Sequence, residues 1–182
     1  MDVQSETDVT SILDSYAARQ PDSERFRLWE VVGTAHADVH LLGSAAKYMQ
    51  CGVPINNGPM YLVAEAAYRD LTTWVATGRP PPHAQRIEVT PGASPQIVRN
   101  ADGIALGGVR TPPVDVPVEQ LSGAPGPNPS TICLLLGSSS PFSTTQLGQL
   151  YPGRSKYLQE YSADAQKVIA AGFVLPADRA AL

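Results

Sequence analysis

The chain has no basic stripe, no long hydrophobic run and almost no cysteine. Its 13 basic and 17 acidic side chains are scattered, giving a net charge of −4. That distribution argues against a nucleic-acid partner or an anionic membrane surface. No apolar stretch approaches the roughly 20 residues of a membrane span. The first eight residues, MDVQSETD, are acidic and polar, unlike a signal peptide. Charged residues amount to only 16% of the chain and hydrophobic ones to 43%. That balance is globular rather than disordered. The two cysteines, Cys51 and Cys133, have no CxxC spacing and no histidine pair beside them, which excludes a zinc site as the reading. Two buried thiols are the expectation, and a long-range disulfide, which would imply export, is the alternative.

Proline and glycine, by contrast, are plentiful. There are 17 Pro and 15 Gly, concentrated between Gly78 and Pro141. That half reads as loop-rich chain wrapped around something else. The pattern before it is more regular. Residues 1–4 look like the end of a strand. DVTSILDSYAARQ carries Val9, Ile12, Leu13, Tyr16 and Ala17 at helical spacing, which predicts a short amphipathic helix. FRLWEVV reads as a strand broken by Gly33. MYLVAEAAYRDLTTWVATG predicts a helix with Tyr61, Leu62, Ala66, Leu71, Trp74 and Val75 on one face and Gly78 as its stop. Further on, AQRIEVT reads as a strand, STICLLLGSSS as a buried strand, and STTQLGQLY and SKYLQEYSADAQKVIAAG as two closing helices.

Two of the three histidines, His36 and His40, follow the strand that Gly33 breaks. A side chain just past the C-terminal end of a sheet strand faces a crevice. Histidine is the common general base near neutral pH, and such a base needs a carboxylate to orient it. Asp8 is the candidate, 28 positions upstream and also just after a strand-like stub. A helix and a return strand fill that gap. Asp8 and His36 would then emerge from neighbouring strand ends of a parallel sheet, in the acid-then-histidine order of the α/β-hydrolase triad. Bland readings stand beside this. Asp8 is also a helix cap, Glu6 is a rival acid in the same turn, and His36 is a plausible packed loop residue. His40 reads as packing or substrate-proximal, and Asp38 as a loop hydrogen-bonder.

The stretches SETDV, ARQPDSERFRLWEVVGTAHAD, PINNGP, LTTWVATGRPPP, GGVRTPPVDVPVEQLSG and LYPGRSKY together resemble the C-terminal part of the bacterial α/β-hydrolase-domain family. The resemblance implies an α/β class. The last strands and helix of a parallel sheet would occupy residues 1–78, and a Pro/Gly-rich C-terminal extension residues 79–182. It implies Asp8 as the acid after the seventh strand, His36 as the histidine after the eighth, and no cofactor or metal. The nucleophile elbow G-x-S-x-G is missing. Ser94, Ser139 and Ser155 have glycine two residues before but not two after. Ser139, the nearest to fitting, lies 103 residues after His36, in the wrong order. The chain therefore reads as a piece of a serine hydrolase that is inactive alone. A small-molecule ester would be its substrate once an N-terminal half completes it. Its open sheet edge and bare apolar face would favour self-association. The rival readings are a non-catalytic binding or scaffolding module, and a Cys51 enzyme using His36 or His40. Arg110 is read either as reaching a substrate carboxylate or as an exposed loop cation. The compartment is not readable.

Overall fold

The computed structural model describes residues 1–127 and 130–182. Its centre is a short parallel pair. Strand β1 (Asp2–Ser5) runs into helix α1 (Glu6–Thr10), and the chain returns through a 3-10 turn (Ser15–Ala18) to strand β2 (Leu28–Val31). β1 and β2 pair in parallel with Ser5 opposite Val31. On the other side of β2, the Val32 N–H donates to the Val109 carbonyl (3.0 Å) and the Val109 N–H to the Glu30 carbonyl (2.7 Å). All four residues of β2 are buried, as in a strand covered on both faces. The mixed α/β class expected from the sequence holds.

The helix expected over residues 8–20 is broken. α1 ends at Thr10, Asp14 adopts a left-handed conformation (φ 43°), and a separate 3-10 turn follows. Ser11, Asp14 and Ser15 are short polar residues that favour turns over a continuing helix. Of the apolar stripe, Val9 is fully buried, whereas Ile12 and Leu13 are 54% and 49% exposed.

After β2 come helix α2 (Val39–Leu42), a 3-10 stretch (Gly43–Tyr48) and helix α3 (Met60–Thr77). α3 stops where expected: Gly78 is left-handed (φ 76°) and its N–H donates to the Trp74 carbonyl at 2.8 Å. Its buried face is shifted from the expected one. Leu62, Val63, Ala66 and Ala67 are buried, while Val75 is 82% exposed. AQRIEVT forms only isolated bridges, Ile87 to Gly107 and Val89 to Ile97. Helix α4 (Pro112–Asp115), which the proline-rich sequence hid, is a single turn with Pro112 at its first position. Strand β3 (Glu119–Ser122) pairs antiparallel with β4 (Ser138–Pro141). The buried strand expected in STICLLLGSSS is a 3-10 turn (Ile132–Leu135) followed by β4. Helices α5 (Thr144–Leu150) and α6 (Arg154–Ala170) and a 3-10 turn (Pro176–Ala180) close the chain. No helix among the described residues is long and apolar enough to cross a membrane.

Apolar side chains cover both faces of the pair, so the apolar face expected to lie bare at β2 is packed. One cluster joins Trp29 and Val31 to Leu62, Val63 and Ala66 of α3 and Val168 of α6. The other joins Val9 and Val32 to Ile87, Ile104, Val114 and Leu121. A third cluster surrounds Cys51 and Cys133. The expected free thiols are a disulfide, with Cα atoms 5.5 Å apart across 82 positions of sequence. The bond also removes Cys51 as a candidate nucleophile.

Ionic groups anchor the N-terminal end of β2. Glu30, fully buried, takes two hydrogen bonds from Arg19 (both 2.6 Å) and one from the Ile87 N–H (2.7 Å). Asp22 accepts from Arg86 (2.6 Å), His83 (2.9 Å) and the Leu28 N–H (3.1 Å), and pairs with buried Arg27 at 3.2 Å. Burial pushes the Asp22 carboxyl up, but the donors Arg86, Leu28, His83 and Arg27 together outweigh it and hold it down, from 3.8 to about 2. A carboxyl depressed by folding contributes stability above its unfolded value and loses it as pH falls through the folded one. The Asp22 contribution, about 2 kcal/mol, is thus expected to disappear between pH 3.8 and about 2. Denaturant melts across that range should show a steeper acid loss for the wild type than for Asp22→Asn. Identical acid profiles would show that the cluster has no net effect.

Candidate active site

The parallel register delivers two chain segments to one edge. β1 ends at Ser5 and turns at once into α1; β2 ends at Val31 and turns at Gly33. Gly33 has φ 68°, and a Cβ there would lie 2.4 Å from Val114 Cγ1. Only glycine meets both demands. Gly123, after β3, approaches equally closely: a Cβ on it would lie 2.3 Å from the Thr7 amide nitrogen.

Asp8 lies in the first turn of α1, and its two carboxylate oxygens do different things. Oδ2 accepts from the Ser5 N–H (2.7 Å) and the Ser5 hydroxyl (2.9 Å), so it caps the helix start. Oδ1 accepts from His36 Nδ1 at 2.8 Å. The cap and the histidine partner, weighed as alternatives from sequence, are one residue. The helix-end contacts fix the carboxylate, and the carboxylate fixes the imidazole. That contact engages Nδ1 and leaves Nε2 as the ring's other nitrogen. The His36 side chain is 48% exposed, against 13% for Asp8. Among the described residues no hydroxyl is hydrogen-bonded to Nε2.

The loop beneath His36 is tied down on several sides. Thr34, buried, donates to the Val31 carbonyl at 2.7 Å. The Ala37 N–H donates to the Leu135 carbonyl at 3.0 Å. Asp38 caps α2, accepting from the Leu41 N–H at 2.8 Å. Fully buried Asn56 donates to the Gly33 and Ser122 carbonyls, both at 3.1 Å, and accepts from the Gly58 N–H at 2.8 Å. The sequence PINNGP shows only turn chemistry; nothing in it points to Asn56 as the cross-link of three loops.

Glu6, the rival acid, has a different task. It is 1% exposed and accepts from the Gly33 N–H (2.8 Å), the Gly123 N–H (3.0 Å) and Arg99. It does not hydrogen-bond His36. His40 is also elsewhere: its Nε2 donates to the Asn57 carbonyl (3.1 Å) and its ring lies 4.6 Å from that of Tyr61. Ser139 is 3% exposed, and its hydroxyl bonds to Asn57 Oδ1 at 3.1 Å rather than to an imidazole. Arg110 neither reaches outward nor hangs free. It pairs with Asp115 (2.5 Å) and donates to the Ala105 carbonyl (2.6 Å). Among the described residues no group of three or more His, Cys, Asp or Glu side chains is placed to hold a metal ion.

A carboxylate behind an imidazole holds one tautomer and one ring orientation and stabilises the imidazolium when it forms. Such a pair accepts a proton at Nε2 and returns it. A family model described as an alpha/beta hydrolase domain matches residues 1–182. No curated protein and no solved structure matches the chain.

Proposed function

The chain belongs to the alpha/beta hydrolase domain family, and from that premise we propose that Asp8 and His36 are the acid and base of a serine-hydrolase triad acting on a carboxylic ester. The observation that carries this reading is the 2.8 Å contact between Asp8 Oδ1 and His36 Nδ1 on a half-exposed imidazole. His36 Nε2 takes the proton of an attacking serine hydroxyl and later gives it to the leaving alkoxide. Asp8 holds the ring throughout. The serine and the oxyanion donors come from a segment outside these residues, since no described hydroxyl reaches Nε2. β1, which pairs with β2 alone among the described residues, offers a free edge where further strands add. On this reading residues 1–78 complete a hydrolase core, and residues 79–182 are an extension upon it. The same edge is where copies of the chain would pair when that segment is absent.

By itself the chain is expected to hydrolyse p-nitrophenyl butyrate no faster than its His36→Ala variant does. Joined to an in-frame upstream segment carrying G-x-S-x-G, it should turn over the ester. His36→Ala should then lower kcat by about a thousandfold or more. His36-dependent turnover by the chain alone would refute the missing nucleophile. His36-independent turnover by the joined protein would refute the role of His36. The second reading, a binding module without catalysis, is favoured by one observation, the unpartnered Nε2. It gains if the joined protein is inert while remaining a cooperative, monodisperse fold.

A further inference from the structure

A roomy cleft lies away from the dyad. It has a volume of about 470 Å³ and lies between the end of α3 and the turn that follows α6. That is within the range of small-ligand sites. One wall is Pro80–Pro82, the floor is Ile169, Val174 and Leu175, and the rim carries Arg69, Asp70, Thr73 and Arg79.

Two features make it a formed site rather than a surface dent. First, the wall is rigid. Proline fixes its own backbone, and these prolines are also pinned from within. The Pro81 carbonyl accepts from Nε of buried Arg27 and the Pro82 carbonyl from Nε1 of buried Trp29, both at 2.9 Å. Secondly, the rim cations make no direct ion pair among the described residues, although Asp70 feels the charge of both. The nine ion pairs among the described residues all use other arginines, lysines or histidines, so neither Arg69 nor Arg79 has a carboxylate within salt-bridge distance there. Asp70, in the same rim, leaves a net charge of one positive unit.

We propose that this cleft binds a small monocarboxylate with an apolar body. Arg69 and Arg79 take the carboxylate, the geometry to which a planar guanidinium is suited. The aliphatic floor and the proline wall take the body. The rim's single net charge matches a monoanion better than a phosphate dianion, which Asp70 would repel about twice as strongly. The pinning donors, Arg27 and Trp29, lie at the start of β2, and His36 follows its end. The cleft is thus at the opposite end of the strand from the dyad and is a separate site.

Octanoate titrated into the full chain by isothermal calorimetry tests this. Saturable binding is expected, weakened roughly tenfold by Arg69→Gln and again by Arg79→Gln. Octanol and inorganic phosphate should bind more weakly than octanoate. Both arginines are exposed, so the variants should melt with the wild type, which a thermal scan verifies. Absence of saturation at millimolar octanoate would overturn the proposal. So would binding that survives both substitutions, or phosphate binding tighter than octanoate.

Discussion

Reducing the Cys51–Cys133 disulfide is expected to lower the stability of this fold by about 4 kcal/mol, because an open loop of that length is entropically costly to close. The bridged positions are 82 residues apart, so the unreduced denatured chain is heavily constrained. At about 2–4 °C of melting temperature per kcal/mol for a chain of this size, the loss corresponds to roughly 10 °C. Both residues are buried, at 4% and 1% exposure, so mild reductant should act slowly on the native protein. Two measurements check this. Thiol titration in denaturant should find no free thiol before reduction and two after. Thermal melts of the Cys51→Ala, Cys133→Ala double variant should fall by the amount given for the reduced wild type. Coincident melts of oxidised and reduced protein would show that the bridge contributes nothing.

The bridge also bears on the dyad. Cys133 belongs to the 3-10 turn whose Leu135 carbonyl holds the Ala37 N–H, and the next residue's carbonyl, Leu136, holds the Asn56 N–H at 2.9 Å. Cys51 belongs to the segment that continues to Asn56 and Asn57. The disulfide therefore ties together the two segments that carry the loop beneath His36. Its loss should broaden the His36 ring resonances as well as lower the melting temperature.

The Asp8–His36 contact was legible because it depends on short-range grammar. A strand, a breaking glycine and a histidine place His36 at a strand end, and a stub followed by SETD does the same for Asp8. The end of α3 was legible for the same reason, in Gly78. What escaped the sequence depends on distant partners. The disulfide spans 82 positions, and the Gly123 N–H reaches Glu6 across 117. The face of α3 was legible at Leu62 and Ala66 and missed at Val75, which suits a core by type but is exposed because the neighbours that decide burial, β2 and α6, lie far away in sequence. The helix over 8–20 failed because periodicity at Ile12 and Leu13 was outweighed by the turn chemistry of Asp14 and its serines.

Replacing Glu6 by alanine is expected to destabilise the protein by about 3–5 kcal/mol, the cost of breaking a buried ion pair by removing one partner. The Glu6 carboxylate is fully buried and serves two backbone donors and a guanidinium: Gly33 N–H, Gly123 N–H and Arg99. Without it the two amides lose their acceptor in the interior, and each such group costs about 1–3 kcal/mol. Glu6→Gln keeps an acceptor but sets an amide N–H2 against a donor, so it should fall between wild type and alanine. Asp8→Asn should behave oppositely. Its carboxamide oxygen can still accept from the Ser5 N–H, so stability changes by no more than about 1 kcal/mol, while the ring of His36 loses its charged partner. Thermal melts beside His36 ring resonances separate the two acids. A large melting loss with an unchanged ring signal is expected for Glu6→Ala, and the reverse for Asp8→Asn. If Glu6→Ala instead melts with the wild type and alters the His36 signal, the assignment of the two acids is exchanged. The staple that joins β1, β2 and β3 would then have to be sought in Asn56, the other buried polar side chain that spans the Gly33 and Ser122 segments.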